Sequence, residues 1–139
     1  MEIIRIIKTF TLLGMLSLAS AQHDISIKLT GEIIHPNSDS IVIKNSWGEQ
    51  FHVIELDEIG QFFSTFEIEE GYYSFYDKKE QDPIYLGEDY VLNLTLKTDS
   101  FDESIRYSGY GADANNYLAA KALMREKWGL KITMHITVS

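Results

Sequence analysis

The side chains that could do chemistry in this chain are four histidines, twenty-one carboxylates and a glycine-rich turn, and there is no cysteine. Without Cys the sequence holds no thiolate nucleophile, no thiolate metal site, no dithiol redox centre and no disulfide. His23, His35, His52 and His135 are scattered, and none has a second ligand type at metal spacing, so each reads as an ordinary strand or loop histidine. The run Asp77-Lys78-Lys79-Glu80-Gln81-Asp82 lacks the alternating carboxylates and central glycine of a calcium loop. No G-x-S-x-G elbow is present. Gly109-Tyr110-Gly111-Ala112-Asp113-Ala114 does satisfy G-x-G-x-x-A between a strand and a helix. Three features argue against a dinucleotide there: the preceding strands read as antiparallel, no acidic residue lies about 20 positions further on, and Asp113 puts a negative charge where a pyrophosphate would sit. A strand-to-helix turn explains the same residues. No metal and no cofactor is expected, and the chain as it stands reads as a non-enzyme.

Two groups of residues could bind rather than react. Tyr72, Tyr73, Phe75 and Tyr76 could form an aromatic platform for sugars or peptides, although strand alternation divides such a run between core and surface. Tyr117, Ala120, Met124 and Trp128 recur at helical spacing and make one apolar stripe, a candidate interaction surface. The formal charge of −9 disfavours nucleic acid and anionic membrane surfaces as partners. The acidic residues are spread over many turns and read as a solvated surface.

The elements that must hold these residues follow from hydropathy. Arg5 and Lys8, an apolar run from Thr9 to Leu18 and Ala19-Ser20-Ala21 compose a secretory signal peptide over 1–21, with an A-x-A cleavage site. The apolar run is shorter than the roughly 20 residues of a membrane span, so export to the periplasm without membrane insertion is expected. Cleavage leaves 118 of 139 residues, one domain's worth, and takes the formal charge from −9 to −10.

Within 22–111, short alternating runs such as Ile25, Ile27, Leu29 and Leu92, Leu94, Leu96 recur at intervals of about 8–12 residues, separated by Gly, Pro, Asn and Asp. About eight short strands at that spacing predict an all-β fold, an antiparallel sandwich of two sheets. Asp57-Glu58-Ile59-Gly60 reads as a hairpin connection. A single helix follows over 112–128, with Asp113 as its N-cap, packing outside the sandwich or leading toward something else. In 129–139, Leu130, Ile132, Met134, Ile136 and Val138 alternate with polar residues, so this tail reads as an extra edge strand or as the product of a frame shift.

Ile41-Val42-Ile43 after an Asn-Ser-Asp-Ser turn, Leu56-Asp57-Glu58-Ile59-Gly60-Gln61-Phe62, Gly71-Tyr72-Tyr73, Ile84-Tyr85-Leu86 and the run from Tyr107 to Leu118 are similar to one family. They resemble the N-terminal β-rich region of exported thioredoxin-like (TlpA-like) disulfide reductases of Bacteroidetes, over about residues 25 to 127. The resemblance implies a sandwich-like accessory domain and a helix leading into a thioredoxin-fold domain with a W-C-x-x-C site. This sequence has no residue onto which that reductase chemistry can be carried, and it ends before a thioredoxin domain could begin. The expectation is therefore a non-catalytic accessory module of a truncated reductase. Its expected partner is a protein, the missing thioredoxin domain or a second copy of itself. The alternative is a stand-alone secreted β-sandwich that binds carbohydrate or peptide.

Overall fold

A computed structural model describes the backbone of residues 23–136 and the side chains of residues 23–129. The signal-peptide reading of 1–21 lies outside the described residues. Eight strands form two four-stranded sheets: β1 (Asp24–Ile34), β2 (Ser40–Lys44), β3 (Gln50–Glu55), β4 (Gln61–Glu69), β5 (Gly71–Tyr76), β6 (Gln81–Leu86), β7 (Val91–Lys97) and β8 (Arg106–Tyr110). The first sheet has the order β4-β1-β7-β8, the second β3-β2-β5-β6. Every pairing is antiparallel except β1 with β7, which run parallel. A sandwich it is, as the strand spacing predicts.

Alternation decides which side chains meet between the sheets. Ile25, Ile27 and Leu29 of β1, Phe62, Phe66 and Ile68 of β4, and Leu92, Leu94 and Leu96 of β7 point inward from the first sheet. Ile41, Ile43, Ile54, Phe75, Ile84 and Leu86 meet them from the second. In β1 and β7 their neighbours turn to the outer face, since successive strand side chains point to opposite faces, whereas β2 is buried on both faces from Ser40 to Ile43. Burying this apolar area at roughly 25 cal/mol per Å² is the main term holding the sheets together.

Acidic and amide side chains build the turns between strands. Asn45, Asp57 and Asp77 each open a turn and accept hydrogen bonds from backbone N–H groups two to four residues on: Trp47 and Glu49 for Asn45, Ile59 and Gln61 for Asp57, Lys79 and Glu80 for Asp77. A side chain that satisfies its own turn in this way favours that turn locally. The run at Asp77 is thus a structural turn, and Asp77, although buried, has its second oxygen bonded to Asn37 at 2.7 Å.

Four expectations need correction. Asp57–Gly60 does not close a hairpin, because β3 lies at the edge of the second sheet and β4 at the edge of the first; the tight turn carries the chain between sheets. Turn chemistry fixes the local reversal, and only tertiary packing fixes which sheet the next strand joins. A short helix, α1 (Phe101–Ser104), stands before β8; it buries Phe101 and has too few residues to show a period. The C-terminal helix, α2 (Ala112–Ile136), starts one residue before Asp113, which therefore lies in its first turn instead of capping it. That helix also runs on through 129–136, where an edge strand was the alternative. A lone strand needs a partner's backbone to satisfy it, whereas a continuing helix satisfies its own.

Candidate functional site

The sandwich leaves two open sides, each flanked by one edge strand from each sheet. On the side of β3 and β4, the ring of His52 lies against Phe66 with centroids 4.3 Å apart, and its Nε2 is 2.9 Å from Ser64 Oγ. Burial holds the His52 imidazole below its usual pKa. A serine bonded to a histidine has the first two parts of a nucleophilic site. Among the described residues no carboxylate is bonded to the other ring nitrogen, and the pair lines none of the grooves described here, so it serves as a cross-sheet contact.

On the side of β6 and β8, α2 closes the gap. Ala112, Asn115 and Ala119 form its buried face, small enough for the helix to approach both edges. The wholly buried Asn115 amide accepts from Tyr85 N–H at 2.7 Å and donates to Tyr85 C=O at 2.9 Å, and also to Gly111 C=O at 3.0 Å. Asn116 repeats the arrangement on the other sheet, accepting from Tyr107 N–H at 2.8 Å and donating to Tyr107 C=O at 2.9 Å. Each amide therefore copies a strand partner for one residue of an edge strand, and two adjacent residues clasp the two sheets together. Edge strands carry backbone groups that must find partners, and here a helix supplies them.

The glycine motif ahead of this helix has a packing explanation. At Gly111, with φ +95°, a Cβ would fall 2.3 Å from the Tyr90 ring, and at Gly109, with φ +91°, it would fall 2.2 Å from Val91 C=O. Only glycine fits both the positive φ and the close approach. Asp113 lines the small groove at this turn, with Tyr90 and Tyr110, and gives it the wrong charge for a phosphate.

The stripe of Tyr117, Ala120, Met124 and Trp128 faces the opposite way from Asn115 and Ala119. All four are exposed, Trp128 by 61 % and Met124 by 59 %. From Met124 to Gly129 every residue is exposed, with Glu126 still reaching the Asp102 carboxyl of α1.

The predicted aromatic run divides. Phe75 is wholly buried in the core. Tyr76 is half-buried on the outer face, with the Lys44 ammonium 3.5 Å from its ring centroid. Tyr73 is half-buried and donates its hydroxyl to Glu69 C=O, while Tyr72 is exposed against the edge of Tyr85. The residues that join Tyr72 and Tyr73 in a groove are Trp47 and Phe51, with Glu69 and Glu70. Trp47 stands in the polar turn Asn45-Ser46-Trp47-Gly48-Glu49, and a large ring among turn formers is a signal that could have found it. Two consecutive asparagines, poor helix formers, early in a helix are the corresponding signal for Asn115 and Asn116.

Two buried polar atoms lie under the same clasp. Among the described residues Asp82 Oδ2 and Tyr107 OH have no hydrogen-bond partner. Burial, and then the nearby Asp102 carboxylate, push the Asp82 carboxyl up to about 6. Burial and the charge of Asp82 raise the Tyr107 phenol. Among the described residues no group of three or more His, Asp or Glu side chains could hold a metal ion, and no helix is long and apolar enough to cross a membrane.

Fold and site together define a class: a two-sheet β-sandwich that mounts a helix by a pair of amide clasps and extends it beyond the domain. No family model, curated protein or solved structure matches the chain.

Proposed function

We propose that this chain is a non-catalytic interaction module, exported to the periplasm, in which the sandwich is the mount and the extended part of α2 is the working surface. The observation that carries this reading is the apolar stripe of Met124 and Trp128, exposed on a helix whose other end is fixed to both sheets. Apolar side chains aligned on one exposed face favour association with a partner that buries them. The resemblance to the accessory region of TlpA-like reductases supplies the partner, a thioredoxin-fold domain, with the second copy of this chain as competitor. The module contributes position to such a reductase and no thiol chemistry of its own.

The test mixes the purified chain with a separately produced thioredoxin-fold domain of a TlpA-like reductase and follows the complex by sedimentation. A complex is expected, weakened about tenfold or more by Met124→Ser with Trp128→Ala. Absence of a complex, or one indifferent to both changes, would overturn the reading.

A further inference from the structure

A second surface, on the sandwich itself and independent of the helix, has its own chemistry. Within the β2–β3 turn, Asn45 Oδ1 accepts from the N–H groups of Trp47 and Glu49, Asn45 N–H donates to Glu49 C=O, and Gly48 N–H donates to Asn45 C=O, all at 3.0 Å. The Asn45 amide also donates to the Glu49 carboxylate at 3.0 Å. Trp47 is therefore held at the tip of a braced turn, with 88 % of its surface in water. A tryptophan so exposed adds little to folding, because the favourable term comes from area removed from water. Bracing the turn fixes the backbone that presents the ring before any ligand arrives, which lowers the backbone ordering cost of binding.

Below Trp47 lies a groove of about 330 Å³, lined also by Phe51, Tyr72, Tyr73, Glu69 and Glu70. The ring of Phe51 is tilted toward Tyr73 with centroids 6.1 Å apart. Among the described residues the ionisable side chains of the lining, apart from the phenols, are carboxylates, with no Lys, Arg or His. Two phenols report the resulting field. The Tyr73 hydroxyl is raised by burial and then by the charges of Glu69 and Asp24, and the Tyr85 hydroxyl is pushed up to about 12, chiefly by its 2.8 Å hydrogen bond to Glu70.

Aromatic faces attract a cation through the ring quadrupole, and carboxylates at the rim supply the opposite charge. We propose that this groove takes an arginine or lysine side chain from a basic peptide segment, with the cation against Trp47 and Tyr72 and its charge met by Glu69 and Glu70. Charge complementarity selects this occupant over an acidic peptide, which the two carboxylates repel, and over a neutral glycan, whose hydroxyls can donate to them but bring no opposite charge.

The experiment uses the full chain carrying Trp128→Phe, so that Trp47 is the remaining tryptophan and its fluorescence reports the groove. It is titrated with an arginine-rich peptide, a glutamate-rich peptide of equal length and a soluble neutral oligosaccharide. A saturable change with the arginine peptide alone is expected, weakening as ionic strength rises. By calorimetry, Trp47→Ala and Glu69→Gln with Glu70→Gln should each weaken binding about tenfold or more, with the melting temperature unchanged for Trp47→Ala. Three results overturn the proposal: no saturable change, an equal response to the oligosaccharide, or arginine-peptide binding that survives both sets of substitutions.

Discussion

Between Ala112 and Ala119, α2 puts two alanines and an asparagine against the sandwich; between Met124 and Gly129 every residue is exposed, Trp128 included. The first segment is amphipathic in an unusual sense, because its packed face is small and polar while its opposite face begins with Tyr117. Backbone groups of two sheet edges are what it must satisfy, and amides do that better than leucines. The second segment touches the domain through Glu126, beside Asp102 of α1, and carries Met124 and Trp128 exposed among charged residues. One helix thus has a half selected by folding and a half that folding does not explain. Apolar residues in the second half answer to something other than the stability of this domain.

Substitutions should separate the halves, and the largest effect belongs to Asn115. Removing its amide in Asn115→Ala leaves the Tyr85 N–H and C=O buried and unpaired, which should cost about 2–4 kcal/mol in denaturant unfolding. Asn116→Ala, at a half-buried position, should cost about 1–2 kcal/mol by the same argument. Equal and small losses at both would mean that the amides decorate the edges without clasping them.

An effect within the range of the two asparagines, but one that depends on pH, belongs to Asp82. Its carboxyl binds a proton more tightly in the folded protein, near pH 6, than at the ordinary 3.8. The folded state is therefore favoured while the group is protonated, and that advantage is lost as pH rises from about 4 through 6. At about 1.4 kcal/mol per pH unit of displacement, the loss amounts to roughly 2–3 kcal/mol. Asp82→Asn removes the charge and should flatten the dependence of the melting temperature on pH over that window, leaving the variant the more stable above pH 7. A variant whose pH profile matches the parent's would place the titration elsewhere.

The smallest effect belongs to the second half of the helix. Trp128→Ala should change the folding stability of the isolated chain by no more than about 0.5 kcal/mol, because an exposed side chain has little native burial to lose. A loss of 2 kcal/mol or more would show that Trp128 packs as part of the domain.

How much of this was legible in the sequence varies with the range of the interaction involved. Period-2 alternation in β1 and β7 is set by single strands, and it predicted both the strands and their inward faces. The reversal at Asp57–Gly60 was visible as local chemistry. Sheet membership was not, because Asp57–Gly60 makes the same reversal whether β4 pairs with β3 or crosses over. The parallel pairing of β1 with β7 joins residues more than sixty positions apart, and no local pattern encodes it. The stripe at Tyr117, Ala120, Met124 and Trp128 was legible from helical spacing. The buried face was not, since Ala112, Asn115 and Ala119 do not look like a core. In the same way the aromatic run drew attention to Phe75, which is core, while Trp47 needed the fold to bring it beside Tyr72.

The central claim is that α2 is divided between a clasped segment and a segment that the domain leaves in water. Native-state hydrogen exchange, read residue by residue along the helix at a concentration where the chain is monomeric, tests it most directly. The account predicts protection close to that of the β-sheet core from Asn116 to Leu123, and exchange faster by at least about tenfold from Arg125 to Gly129, where every side chain is exposed. Uniform protection across the whole stretch would contradict the division and make the entire helix part of the folded core.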